Sequence, residues 1–309
     1  MEIPFKTDIH LSPEQVLGKI DKRESFSGYV IENQDLSGRD LSLLDFSKCR
    51  FDNVRLDNCL LSGSDFTQVS MCKTSMKGVT AHQCNVFSST FKDCDLSNSR
   101  WTEINFGGGV MIDSVISGAS FHQCDFGNRS VISTEGENAV FSDCLFQKTK
   151  FLQCHFEAAS FSMSDFFKPL FHQTILERAI FHGSSVVKAI FTKCRISGTD
   201  FSKAKVAGLI LDSCDMKNSF YLPMVTSRIH FTDSDLSGVD FSGHELFYAT
   251  FSKANLSGAN LSGCRLFGSR FMKANLKGAN LSLARLHRAH FYKADLSGAN
   301  LEIDRKSVV

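Results

Sequence analysis

Nearly every fifth residue from Phe26 to Leu301 is large and apolar. Of these 56 centres, 53 are Phe, Leu, Ile, Val, Met, Tyr or Trp; Ala81, Gly136 and Thr226 are the exceptions. Two places before the centre, 44 of the 56 residues are Ala, Ser, Cys, Thr, Val or Gly, and the remaining positions are mostly Ser, Lys, Asp, Asn and Gly. A period of five fits neither the alternation of a strand nor the 3.6-residue turn of a helix, so the chain must turn once per unit. If each unit forms one side of a square coil, the centre fills the interior and the small residue before it tucks into a corner. Four units close a coil, and coils stack at about 4.8 Å, the ordinary inter-strand distance. The pattern predicts an all-β coil that turns every five residues over residues 25–301 with no slip of frame.

The ends fall outside this pattern. Ser12-Pro13-Glu14-Gln15 places an N-cap, a Pro at the first helical position and a Gln three after the cap. A short helix to about Lys22 is expected, with Val16, Leu17 and Ile20 plugging the first coil; residues 1–24 are also a candidate export segment. The tail 302–309 is too short for a substantial cap, which predicts a homodimer through the C-terminal coil. Its last residues, with Ser307 and Val309 at the spacing of a PDZ ligand, are a candidate peptide-tail contact. Three segments weaken the stack, and each could bulge outward or kink it or stand as a tolerated irregularity: Gly107-Gly108-Gly109, Thr134 to Glu137 around Gly136, and Leu222-Pro223-Met224 leading to Thr226.

The last coils read Ala254-Asn255-Leu256, Ala259-Asn260-Leu261, Ala274-Asn275-Leu276, Ala279-Asn280-Leu281, Ala294-Asp295-Leu296 and Ala299-Asn300-Leu301. They resemble the pentapeptide-repeat family, whose consensus is A-(D/N)-L-x-x. Earlier coils prefer Phe at the centre, as in Asp65-Phe66 and Asp125-Phe126. The resemblance implies a right-handed quadrilateral β-helix. It does not fix a function, because a fold hosts many.

Composition adds little chemistry. Ten of the eleven cysteines sit at the small corner position, no C-x-x-C occurs, and Cys72 alone faces outward. Cys124 with Cys144 and Cys194 with Cys214 fall on adjacent coils, yet inward parallel side chains argue against disulfides. No phosphate-binding loop, nucleophile elbow or metal motif is present, so neither an enzyme nor a cofactor is expected. No apolar run reaches the length of a membrane span, and no basic-then-apolar leader opens the chain, which points to a cytoplasmic protein or one secreted by another route.

Charge is unevenly placed. The formal total is +1, but residues 251–309 alone carry +7. In a 20-residue coil Lys253, Lys273 and Lys293 share one column with Arg270 beside them, and Arg265 and Arg285 stack on a neighbouring face. These six are the candidate contacts for an anionic partner. A protein partner or an anionic membrane surface fits them; nucleic acid is disfavoured. The leading expectation is a non-catalytic interaction scaffold, in its most concrete form a bacterial effector delivered into host cells. The alternatives are a DNA-mimicking protector of gyrase, disfavoured because the resemblance implies an acidic surface for that role, and a housekeeping structural repeat.

Overall fold

The computed structural model describes residues 9–302, so the Ser307 and Val309 tail lies outside the described residues. The chain divides into two compact units, Met1–Ser160 and Phe161–Val309. Both are quadrilateral β-helices. In the first, parallel three-residue strands stack as Val30–Glu32, Arg50–Asp52, Ser70–Cys72, Thr90–Lys92, Val110–Ile112, Ser130–Ile132 and Lys150–Leu152. A second face stacks Thr80–His82, Arg100–Thr102, Ser120–His122 and Val140–Ser142. The other two faces pair through single parallel bridges such as Asp35 to Arg55 and Asp45 to Asp65. In the second unit Leu170–His172, Ile190–Thr192 and Ile210–Asp212 form one ladder, and Asp165–Phe167, Ser185–Val187 and Lys205–Ala207 another. Partners stand twenty residues apart, so four five-residue sides close each coil.

The centres form the core. Because coils repeat at the strand spacing, like rings meet face to face: Phe26, Phe46 and Phe66 at 4.9 and 5.0 Å, and Phe231, Phe251, Phe271 and Phe291 at 5.1, 4.9 and 4.7 Å. Where the residue before the centre is Asp or Asn, its side chain accepts the backbone N–H two residues on, as Asp35 does from Ser37 at 3.0 Å and Asn255 from Ser257 at 3.2 Å. Two places after the centre the backbone is left-handed in most units, for example Asn58 at φ 58° and Lys273 at φ 59°.

The corner position has a chemical rule as well as a size rule. At many corners a Cys, Ser or Thr side chain donates to the carbonyl of the centre 23 residues earlier, in the preceding coil. Cys59 reaches Leu36 O at 3.1 Å, Ser64 reaches Leu41 O at 2.7 Å, Thr149 reaches Phe126 O at 2.9 Å and Cys264 reaches Phe241 O at 2.7 Å. Cysteine is therefore used as a small buried donor. All eleven are free, and all but Cys72 are buried.

Helix α1, Pro13–Asp21, forms at the N-terminal side with the full capping box: Gln15 N–H donates to Ser12 Oγ at 3.3 Å, and Ser12 N–H to Gln15 Oε1 at 2.8 Å. It buries Val16 and Ile20. The preceding residues add a rung, with Leu11 N–H donating to Val30 O at 3.1 Å and Gln34 Nε2 to Leu11 O at 3.1 Å. The first coil is thus covered.

The three irregular segments behave differently from one another. Gly136 neither bulges nor kinks; it stays buried, with its N–H bonded to His155 O at 2.7 Å. A Cβ there would meet Phe156 Cε1 at 2.4 Å, so a neighbouring ring fills the space the missing side chain leaves. At Leu222-Pro223-Met224 the expected frame fails. Tyr221, read as a centre, is 52% exposed, while Phe220 and Leu222 on either side are buried. Gly198 N–H bonds Ser219 O, two residues beyond the regular register, and Asp200 bridges Tyr221 rather than Phe220.

The Gly107-Gly108-Gly109 segment is the opposite of an outward bulge. Gly109 alone among corner residues has a left-handed backbone, φ 67°, directly after Gly108 at φ 67°. The space so opened admits Arg129, the corner residue of the next coil, which is wholly buried. Its guanidinium donates to Phe106 O at 2.8 Å, Gly108 O at 3.3 Å, Val110 O at 3.2 Å and Ser89 O at 3.4 Å, and lies 5.2 Å from the Phe91 ring. Burial pulls its pKa down to about 9, so it remains a cation at neutral pH. Carbonyl dipoles and ring faces take the place of a carboxylate.

Candidate interaction surface

Two neighbouring faces of the second unit carry the basic residues. On the face whose centres are Leu246, Leu266 and Leu286, the outward residue before the centre runs Glu245, Arg265, Arg285 through parallel bridges. The residue after the centre runs Phe247, Phe267, His287. On the next face Thr250, Arg270 and His290 bridge in the same way, and Lys253, Lys273 and Lys293 follow their centres. The six cations expected from the sequence therefore fall in three columns on two adjacent faces.

Their pairing divides them. Arg265 Nη1 meets Glu245 Oε1 at 2.5 Å, and Lys253 Nζ meets Asp233 Oδ2 at 3.4 Å. Arg270, Lys273, Arg285 and Lys293 have no carboxylate within 4.0 Å among the described residues, and neither does Arg288. Neighbouring columns use their acids locally, as Lys277 with Asp295 at 3.3 Å.

The aromatic residues between these cations were not singled out from the sequence. Tyr248 lies over Gly268, where a Cβ would stand 2.7 Å from its ring. Phe267 packs edge-on to Tyr248 at 5.5 Å and stacks with His287 at 5.4 Å. The Arg265 guanidinium sits 5.2 Å from the Phe247 ring and that of Arg288 5.6 Å from Phe267. Phe247, Tyr248, Arg265, Phe267, Arg285 and His287 line one shallow hollow. The signal was in the register, since Phe247, Phe267 and His287 recur every twenty residues, but outward Phe is easily lost in a chain with 29 of them.

Further groups stand apart. His182 Nε2 and Asp200 Oδ2 are 2.8 Å apart in the second unit. Although burial works the other way, hydrogen bonds from Ser202 and His182 hold the Asp200 carboxyl below its usual range. Cys72 is half-buried beside Lys48, Arg50 and Lys92 in the first unit. No cluster of His, Cys, Asp or Glu able to hold a metal occurs among the described residues, nor is any described helix long and apolar enough to cross a membrane.

Fold and surface together define a β-solenoid protein with a basic, aromatic corner. The pentapeptide-repeat family model matches residues 49–86, 89–128, 227–266 and 264–302 as eight copies, and the chain belongs to that family. Proteins of the family are generally non-enzymatic scaffolds. Similar solved structures include HetL, a pentapeptide repeat protein involved in heterocyst differentiation regulation from the cyanobacterium Nostoc sp. strain PCC 7120. It is 16% identical over 94% of this chain and 97% of its own, with a TM-score of 0.25. QnrB1, a plasmid-mediated fluoroquinolone resistance protein, is 17% identical over 74% and 94%, with a TM-score of 0.29. Rfr23 from the cyanobacterium Cyanothece 51142 is 17% identical over 46% and 91%, with a TM-score of 0.19. No curated protein matches the chain significantly by sequence.

Proposed function

We propose that this protein is a non-catalytic interaction scaffold that engages an anionic partner through the basic corner of its second unit. The observation that supports this is the set of cations without carboxylate partners, Arg270, Lys273, Arg285, Arg288 and Lys293, held on adjacent coils. Like charges at the strand spacing repel unless solvated or met by an anion. A rigid ladder places them where an anion of matching length would release that repulsion. The test is retention on an immobilised polyanion at low ionic strength. The wild-type chain should be retained and should elute with salt, and a variant combining Arg270→Glu, Lys273→Glu and Arg285→Glu should pass through. A wild-type chain that is not retained ends the proposal.

In its most concrete form the scaffold is a bacterial effector that meets a host protein or membrane surface after delivery. Secretion into host cells by the native bacterium, followed with a reporter fusion, tests that version. A gyrase-protecting DNA mimic fits less well, because the exposed corner is basic where a mimic of a polyanion must be acidic. Gyrase inhibition in a supercoiling assay by the charge-reversed variant and the wild type alike would contradict the basic-corner reading.

A further inference from the structure

The basic corner does not end with its charges. Followed through the second unit, the same corner presents Phe167, Leu170, Val187, Ile190 and Ile210 outward, with Ile190 and Ile210 more than a third exposed. Lys168 lies over Phe167 at 5.2 Å. In later coils the aliphatic residues give way to Tyr248, Phe267 and His287, flanked by Arg285 and Arg288. One edge of the solenoid therefore combines apolar surface with unpaired cations, and Glu245, the acid at the hollow, is already held by Arg265.

Resting on the anionic-partner reading, we propose that this corner binds an acidic polypeptide segment carrying aromatic side chains, one of which enters the hollow between Tyr248, Phe267 and His287 while neighbouring carboxylates meet Arg285 and Arg288. Three observations select this occupant. Two of the rings that a run of nucleic-acid bases would stack on are already engaged, Phe247 by Arg265 and Phe267 by His287 and Arg288, which leaves the exposed Tyr248 for a single aromatic side chain. The aliphatic residues Ile190 and Ile210 offer nothing to a phosphodiester chain but suit an apolar side chain. The hollow is concave, which suits a single protruding ring better than the broad surface of a bilayer. Arginine and tyrosine are enriched among the residues that dominate affinity in protein interfaces, and arginine meets carboxylates in bidentate pairs.

The experiment compares four probes against the full chain: a random copolymer of glutamate and tyrosine, polyglutamate, single-stranded oligothymidine, and vesicles of phosphatidylserine and phosphatidylcholine. The copolymer should bind about tenfold or more tighter than polyglutamate. Tyr248→Ser with Phe267→Ser should bring the copolymer down to the affinity of polyglutamate for the same variant; Arg285→Glu with Arg288→Glu should weaken both. Tyr248→Ser alone, at an exposed ring, provides a variant whose fold is not in question, and unchanged melting is the control for the others. Equal binding of copolymer and polyglutamate overturns this inference and leaves the anionic-partner reading standing. Tighter binding of oligothymidine or vesicles, sensitive to the same residues, overturns it in favour of another occupant. Failure of all four probes removes both.

Discussion

Replacing Gly109 by Ala probes the least regular point of the first unit. A Cβ on Gly109 would stand 2.0 Å from Ser89 O, 2.8 Å from Ser89 N and 2.9 Å from Ser89 C. All three are backbone atoms, so no side-chain rotation relieves the contact. Clearing it needs a shift of roughly 1 Å or more between adjacent coils, given a normal carbon–oxygen approach of about 3.3 Å. That shift strains the bonds Val110 N–H to Ser89 O at 3.1 Å, Ser130 N–H to Gly109 O at 3.3 Å and Arg129 Nη2 to Ser89 O at 3.4 Å. Each buried group left unpaired costs about 1–3 kcal/mol, and a left-handed alanine adds about 1–2 kcal/mol. The expected loss is about 3–6 kcal/mol. Gly63→Ala is the internal control: its φ of 69° is equally left-handed, but its Cβ meets only the side chain of Leu43, which is 82% exposed and free to move. About 1 kcal/mol is expected there. Urea denaturation of the two variants and the parent, with hydrogen exchange across residues 105–130 to localise the effect, measures the difference. If Gly109→Ala loses no more stability than Gly63→Ala, the account of this segment as a seat for Arg129 is wrong.

Restoring the repeat at Gly136 with Leu should destabilise by about 1–3 kcal/mol, despite matching the consensus, because Phe156 already occupies the space; a raised melting temperature would refute this. A thiol reagent should label Cys72 alone in the native chain and all eleven cysteines after denaturation, counted by mass; rapid native labelling of several would show that the corner thiols are not buried as described. Burial pushes the thiols of Cys49, Cys94 and Cys264 up to about 12 and Cys84 to about 11, against 9.0 for an ordinary thiol. A folded pKa above the unfolded one gives stability that is complete below pH 9 and declines as the pH rises towards 12. The urea midpoint should therefore fall above pH 9, and less steeply in a Cys49→Ala, Cys94→Ala variant; identical slopes would count against the thiols.

Much of this architecture can be read from the period alone, because a five-residue unit leaves the chain few ways to bury one residue in five. With four units to a coil, as the family resemblance implies, the column assignments follow, so the sequence alone stacks Arg265 with Arg285 and sets Arg270 beside Lys273. Where the reading failed, the cause is local chemistry that a frame cannot weigh. Phe220, Tyr221 and Leu222 are all apolar, so the pattern gives no reason to prefer the outer pair over the middle residue, and Tyr221 keeps its hydroxyl in water by turning out. Gly109 and Arg129 make sense only together, twenty residues apart; separately one looks like a weak spot and the other like a surface charge. The aromatic hollow was hidden because its register marks it as outward while its composition matches the core.

The side-chain bond from many corners back to the centre 23 residues earlier ties surface geography to arithmetic. Adding twenty residues to the chain lengthens it and returns every later side chain to its own column. Adding five would keep centres, corners and donors in place, yet rotate everything downstream by a quarter turn. Tyr248 and Phe267 would then lie beneath a different set of neighbours than Ile190 and Ile210. Growth by whole coils is therefore silent to a partner lying along the corner, whereas growth by a single repeat would preserve the fold and scramble the address.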